Sequence, residues 1–309
     1  ATKSRGICIE PSINVFLQLA VGTHIKHRLI KRFGIDLYRA QDIHKDLARS
    51  SSQSGLLGTM DLSDASDRIT VNLVKLLLPD DWFSLLDSLR SKKTRVRDQW
   101  HFNSKFSSMG NGFTFEIMTV LLFALCWEAS ERRGHTVSFQ KNVAVFGDDI
   151  IAPVDVCRDL ITVLPFLGFK VNVDKTFIQG PFRESCGGDY FEGVDVRPLF
   201  IEVAINEPQH WIAVANGIRR VGRSHFQGDI RPNALHRTWL RALDNLPKRL
   251  RKIRGPEFLG DLVIHDHVSE WLGADPATGR RRSMYRATPD HRRFVRTLQP
   301  YSRPRGLSH

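Results

Sequence analysis

The sequence predicts an α+β fold, an antiparallel sheet with helices on one face, and two observations carry that expectation. The first is the order strand, helix, helix, hairpin, helix, strand between Leu56 and Val173. The second is Val143 to Pro153, where apolar residues rich in Val and Ile run into Gly147-Asp148-Asp149 and leave again. Such a run, split by a Gly-Asp pair, reads as two strands joined by a tight turn. Asp148 and Asp149 are thereby expected at a hairpin tip. Adjacent carboxylates repel and are costly to half-bury without a counter-charge. A divalent cation supplies one, and hard oxygen ligands suit Mg²⁺ or Mn²⁺. Taken alone, Gly-Asp-Asp is more often an ordinary solvated turn.

Each further element follows from local pattern. Lys3 and Arg5 alternate ahead of an Ile-Cys-Ile strand signal, which places both on one face, either to hold a phosphate chain or as a frayed basic terminus. Pro11 to Phe33 spaces Ile13, Phe16, Leu17, Ala20 and Val21 helically, and the cations Lys26 to Arg32 crowd its far end. Ser50 to Gly55 reads as a polar loop. Leu56 to Met60 is an apolar strand ending in Asp61-Leu-Ser-Asp-Ala-Ser-Asp67. A carboxylate at the end of a buried strand suits a metal beside the hairpin tip, which assigns Asp61. Asp64 and Asp67 lie where a helical stripe of Ile69, Leu73, Leu76 and Leu77 begins, and one of them is expected to cap that helix.

Residues 79–105 read as a surface excursion. In Ser107-Ser-Met-Gly-Asn-Gly-Phe-Thr114, small residues ahead of a helix admit a phosphate or sugar to backbone N–H groups. The Gly-Lys-Ser/Thr ending of a P-loop is absent. The helix Phe115 to Arg133 is apolar nearly all round and so expected to be buried. Asp155 to Leu167 is an amphipathic helix shortened by Pro165, and Gly168 to Val173 a strand followed by Asp174-Lys175-Thr176. Arg183 to Phe200 reads as another hairpin, and Trp211 to Val221 as a helix ending in Arg219, Arg220 and Arg223.

Composition narrows the partners. A chain of 309 residues buries about three quarters of its unfolded surface, in one large domain or two smaller ones. Its net charge of +12 and pI near 9.9 call for a polyanion, either nucleic acid or an acidic membrane surface. From Arg280 onward, nine Arg face the single acid Asp290 and are interleaved with Tyr285, Phe294 and Tyr301. That mixture suits a nucleic-acid surface, with a solvated tail as the alternative. Cys8, Cys126, Cys157 and Cys186 show no CxxC spacing, which points to a reducing cytoplasm. The apolar run Ile117 to Trp127, flanked by Glu116 and Glu128, is too short to span a bilayer, so no membrane is expected. The chain opens on Ala inside a patterned segment, which suggests a piece of a longer protein.

Together these stretches resemble the RNA-dependent RNA polymerases, and most closely the replicase catalytic subunit of the leviviruses, the single-stranded RNA bacteriophages. The resemblance rests on Asp61 to Asp67, Ser107 to Glu116, Val145-Phe-Gly-Asp-Asp-Ile-Ile151, Lys175-Thr-Phe177, Gly180 to Gly187 and Gly193-Val-Asp195. These are similar to the palm motifs A to E in order, and Lys3-Ser-Arg5 with Ile9-Glu-Pro11 to the fingers motif F. It covers roughly residues 1–201. The resemblance implies a right-hand polymerase: partial fingers at 1–46, a palm at 47–201, and a mostly helical basic thumb with the C-terminal region at 202–309. It implies template-directed RNA synthesis, with RNA template and product and nucleoside triphosphates as partners. Host translation factors and the bacterial host cytoplasm are implied with them.

Nucleotidyl transfer of this kind uses two Mg²⁺ ions, with Mn²⁺ as a substitute, to clamp attacking and leaving oxygens. On this reading Asp61 and Asp148 bridge the ions and Asp149 is the third ligand. Lys3 and Arg5 neutralise the triphosphate. Lys175 is the candidate acid for pyrophosphate, against the plain alternative of an exposed lysine at a strand end. Asp67, Ser108 and Asn111 are the candidates to read the ribose 2′-hydroxyl. Many such polymerases place an asparagine four residues after the motif B threonine, where this chain has Met118. Two alternatives remain beside this reading: a reverse transcriptase, disfavoured by Gly147 ahead of the acids, and a non-catalytic RNA-binding protein on a palm-like scaffold.

Overall fold

In the computed structural model, described for residues 6–201, 204–225 and 234–266 and for the backbone of two short strands at Leu272–Ala274 and Arg281–Ser283, the chain divides into two compact units. These are Ala1–Asp195 and Val196–His309. Lys3, Arg5 and most of the basic stretch after Arg280 lie outside the described residues.

The first unit opens with α1 (Ser12–Phe33) and α2 (Ala40–Ser54). The apolar spacing expected to bury α1 faces largely outward, with Ile13 and Phe16 exposed. Its buried stripe is Gln18, Gly22, Ile25 and Leu29, because Gln18 finds buried hydrogen-bond partners that an apolar side chain would leave unmet. The polar loop expected at Ser50 to Gly55 is instead the last turn of α2. Ser51 and Ser52 are buried there, and Ser52 Oγ accepts a bond from the backbone N–H of Gly193 at 2.8 Å, so polarity marked a partner rather than solvent.

Strands β1 (Leu57–Met60) and β2 (Leu62–Ser63) follow, then a 3₁₀ turn at Ala65–Arg68 and helix α3 (Val71–Leu77). Neither Asp64 nor Asp67 caps α3. Thr70 does, its hydroxyl accepting from Leu73 N at 3.2 Å, and of the expected stripe within α3 Leu73 is buried while Leu76 and Leu77 are exposed, Val74 being buried in their place. The surface excursion holds α4 (Asp80–Leu89) and a hairpin of β3 (Lys93–Val96) and β4 (Gln99–Phe102). The apolar helix is α5 (Thr114–Arg132), buried along most of its length. After it come β5 (Ala144–Phe146), β6 (Asp149–Pro153), α6 (Val154–Phe166), β7 (Lys170–Val171) and the meander β8 (Phe182–Ser185), β9 (Gly188–Phe191) and β10 (Val194–Asp195).

The central sheet is antiparallel in the order β1-β6-β5, with Met60 opposite Ile150 and Val145 on the other side of Ile150. Helices cover both of its faces, which corrects the one-sided arrangement expected from the sequence. Leu57, Ala144 and Ile151 meet Leu47 of α2, while Met60, Val145, Ile150 and Ala152 join the main core with α5 and α6. Strands without a polar alternate have no face to give to water. The strand expected at Gly168 to Val173 shrinks to the two residues of β7, which pair with β2 outside this sheet. It is held there by Asn172 N donating to the Asp61 carbonyl at 2.9 Å.

The second unit packs α7 (Pro208–His225) on α8 (Ala234–Asp244) through Ile212, Ala215, Trp239 and Leu243, beside a parallel pair β11 (Arg254–Gly255) and β12 (Ile264–His265). Two of its many cations are structural. Arg219 and Arg254 pair with Asp266 at 3.1 and 2.7 Å and lie over the Trp239 ring. Among the described residues, no helix is long and apolar enough to cross a membrane.

Arg183 ties the meander to the central sheet from a fully buried position. Its guanidinium donates to the carbonyls of Leu57, Gly180 and Phe182 at 2.7, 2.8 and 2.7 Å. Arg183→Leu removes three hydrogen bonds, one of them to the buried Leu57 carbonyl, so it should cost about 3 kcal/mol of stability. Urea unfolding checks this, and an unchanged midpoint would remove Arg183 from that role.

Candidate active site

The register of the central sheet decides where the carboxylates go. Asp61 is the residue immediately after β1, whose last residue Met60 faces Ile150, so it emerges beside the β5–β6 turn. Phe146 pairs with Asp149, which leaves Gly147 and Asp148 as a two-residue turn. Gly147 has φ 64°, the value a two-residue hairpin needs there. Its N–H donates to Thr119 Oγ1 of α5 at 3.0 Å, and a Cβ added to it would lie 2.6 Å from Phe115 Cε2. The tip is thus seated on α5, and glycine lets it sit there.

Asp148 and Asp149 do not share the tip as expected. Asp149 is already the first residue of β6, and successive strand residues point to opposite sides. Asp148 opens with Asp61, Asp67, Asn111, Asn172 and Lys175 on one cavity of about 600 Å³. Asp149 turns the other way, onto the β8–β9 turn. Its Oδ1 accepts from Ser185 Oγ at 3.3 Å and from Cys186 N at 3.4 Å, and its Oδ2 from Cys186 Sγ at 3.4 Å.

Burial pushes the Asp61 carboxyl above the usual carboxylate range, opposed by a bond from Asn172 Nδ2 at 2.7 Å and reinforced by the charge of Asp148. Asp149 is raised too, chiefly by burial, against the bonds from Cys186. Lys175 is raised by its bond to Glu184 Oε1 at 3.0 Å, so it stays protonated at neutral pH and is held on that glutamate. Two hard oxygen donors facing one cavity, one of them penalised for its charge, fit a divalent cation. Asp61 and Asp148 are the residues placed to hold it. Among the described residues no three His, Cys, Asp or Glu gather as a metal-holding group, and Asp149 is bonded instead to Ser185 and Cys186.

The residues expected at the nucleotide divide between two neighbouring cavities. Asp67 pairs with Lys105 at 3.1 Å and lines both this cavity and a neighbouring one of about 430 Å³. Ser108 lines the neighbouring cavity, its carbonyl accepting from Asn111 N and Thr114 Oγ1. Asn111 lines the main cavity with its Oδ1 held by Phe113 N at 3.0 Å. Met118 is buried at the cavity wall.

Several supporting residues carried no sequence signal. Gln18 donates to Leu89 O at 2.8 Å and to Glu10 at 3.2 Å, and accepts from Gly112 N at 3.0 Å, which fixes the glycine loop beside Asn111. His44 sits behind Asp149 with Nδ1 2.9 Å from Ser185 Oγ. Since the Ser185 hydroxyl donates to Asp149, its oxygen accepts from His44 Nδ1–H, which leaves Nε2 as a buried lone pair without a partner. An Asn three residues before the cavity-lining Lys175 and a buried His in α2 look in sequence like any others. Asn172, Glu184 and His44 are recognisable only once the fold brings them in.

The cavity gathers carboxylates and a lysine beside a hairpin turn, and comparison with known proteins gives the lineage. Residues 1–269 match the family described as RNA replicase, beta-chain, and the chain belongs to that family. It is 42% identical over 258 residues to the RNA-directed RNA polymerase subunit beta of Qbeta virus (strain MX1), covering 83% of this chain and 43% of that protein. It is 39% identical over 248 residues to the RNA-directed RNA polymerase beta chain of Enterobacteria phage fr, covering 80% and 44%. With that of Escherichia phage MS2 it shares 37% over 243 residues, 79% and 43%. The chain therefore spans less than half the length of these curated relatives.

His44 makes the site's support pH-sensitive. Burial lowers its pKa from 6.5 to about 4, so the unfolded chain binds the proton first. Its contribution to stability is complete above pH 6.5 and is lost as pH falls toward 4, by roughly 3 kcal/mol in all. Asp61 and Asp149, raised in the folded state, act with the opposite sign. The stability difference between wild type and His44→Gln should therefore shrink over that window in urea titrations. A difference independent of pH would contradict the buried neutral imidazole.

Proposed function

We propose that the chain is the catalytic part of a template-directed RNA polymerase that joins ribonucleotides by two-metal-ion nucleotidyl transfer. The observation that carries this reading is that Asp61 and Asp148, from a strand end and a hairpin turn far apart in sequence, open on one cavity with the Asn111 loop and Lys175. Membership of the replicase beta-chain family and the RNA-directed RNA polymerases among its relatives support it.

Asp61 and Asp148 would hold the Mg²⁺ ions, or Mn²⁺ in their place. Bound there, such ions polarise the α-phosphate and stabilise the attacking and leaving oxygens. The protein's own residues do the positioning. Asn172 orients the Asp61 carboxylate, and α5 seats the turn that presents Asp148. Asp149 would serve as the third ligand, a role that requires its carboxylate to leave Ser185 and Cys186. Lys175, released from Glu184, supplies a proton or a positive charge to departing pyrophosphate. Asp67, Ser108 and Asn111 would read the ribose, and Lys3 and Arg5 would neutralise the triphosphate.

In this assignment residues 1–46 belong to the fingers, 47–201 to the palm and 202–309 to a basic thumb. RNA template and product and nucleoside triphosphates are the partners, with host translation factors completing an assembly in the bacterial host cytoplasm.

Primer extension on an RNA template tests the reading, with the chain alone and with one extended to the length of its relatives. Asp148→Asn should lower ribonucleotide incorporation by about 100-fold or more, because one metal-holding oxygen and its charge are lost. Deoxynucleotides should be incorporated poorly by the wild type. Equal extension by wild type and variant would refute the metal assignment, and a preference for deoxynucleotides would favour reverse transcription.

A further inference from the structure

The β3–β4 hairpin has a face that the cavity chemistry does not use. Its register pairs Lys93 with Phe102 and Arg95 with Trp100, and between them Thr94 with His101. Directly opposed residues share a face and neighbours along a strand alternate. Thr94, Val96 and His101 accordingly line the 430 Å³ cavity, with Phe102 at its rim. Lys93, Arg95 and Trp100 look outward, and Phe102 with them. Trp100 is 66% exposed and Phe102 79%, while Lys93 Nζ stands 4.5 Å from the Phe102 ring centroid. The turn is tight, with φ 47° at Arg97 and 66° at Asp98, the left-handed pair of a two-residue hairpin. From Lys92 to Phe102 there are four cations (Lys92, Lys93, Arg95, Arg97) and one acid (Asp98), a net charge of +3.

We propose that this outer face is a stacking platform for single-stranded RNA, with Trp100 and Phe102 each taking a base and Lys93, Arg95 and Arg97 the adjoining phosphates. Two residues apart on one strand, the rings stand about 7 Å from each other. That is close to the spacing of successive nucleotides in an extended chain. Each ring has a cation directly across the ladder, the pairing of stacking and charge that holds single strands without reading their sequence. Arg95 already pairs with Asp98 at 2.8 Å, and a protein partner closing over the same face would have to desolvate Lys93 and Arg97 as well, at high cost unless it brought acids of its own. The platform extends the RNA-handling reading to a second place on the first unit. It requires that the chain meets single-stranded RNA, not that the Asp61–Asp148 cavity is catalytic.

The test is binding of a short fluorescent oligouridylate to the whole chain, followed by anisotropy in EDTA with no nucleotide present. The double variant Trp100→Ala/Phe102→Ala should weaken binding at least about tenfold, and Trp100→Phe should restore most of the loss at that position. Lys93→Gln/Arg95→Gln should lower the slope of log affinity against log salt by about 1.4, two phosphate contacts at single-strand value. Circular dichroism and the urea midpoint show whether each variant keeps its fold, as surface changes on an exposed hairpin should. Binding within twofold of wild type by the aromatic double variant, with an unchanged salt slope, overturns the proposal. A change in oligomeric state without a change in RNA affinity overturns it too, in favour of a protein interface. Because the assay excludes metal and nucleotide, it can fail while the polymerase reading stands, and the polymerase reading can fail while it succeeds.

Discussion

Everything at the candidate site depends on the antiparallel pairing of β1 with β6. Met60 opposite Ile150 brings the residue after one strand beside the turn before the other, and so sets the carboxylates of Asp61 and Asp148 on one cavity. A slip of one residue would send Asp61 to the opposite face and separate the pair. The register is held from both sides, since each face of the sheet is buried: Leu57 and Ile151 against α2, Met60 and Ile150 against the core of α5 and α6. The burial that fixes the geometry also raises Asp61, so the same packing sets where the carboxylate sits and penalises its charge there.

Around this pair the structure commits its buried polar groups to holding loops rather than to chemistry. Gln18 links α1 to the end of α4 and to Gly112, so the loop that carries Asn111 is fastened from below. Thr119 holds the hairpin turn, and Arg183 holds the meander whose own turn grips Asp149. Each of these is a hydrogen-bonded group with almost no exposure, where losing a partner costs more than the bond contributes. Asp149 is the point of tension. It belongs by sequence to the acidic pair, yet His44, Ser185 and Cys186 hold it on the other side of β6.

The sequence was most legible where period and turn chemistry agree. The β5–β6 hairpin, the buried α5 and the strand ending at Asp61 were all readable, because apolar runs of strand or helix length leave little choice. The readings that failed over α1 and the end of α2 share a cause: polarity was taken for exposure. Ser51, Ser52 and Gln18 are buried, and the apolar Ile13 and Phe16 are not. No local pattern reveals whether a serine has a buried N–H such as that of Gly193 waiting for it. Likewise, Asp148 and Asp149 are indistinguishable in sequence. Their divergence depends on the ladder beginning at Asp149 rather than one residue earlier, and β-register is a tertiary property.

The central claim is that Asp61 and Asp148 form one divalent-cation site. Mn²⁺ binding by the whole chain, followed by electron paramagnetic resonance of the free ion, tests it most directly. Asp61→Asn and Asp148→Asn should each weaken binding by about tenfold or more, with Asp149→Asn weakening it less because that carboxylate faces Ser185 and Cys186. Mn²⁺ affinity unchanged in both of the first two variants would contradict the account.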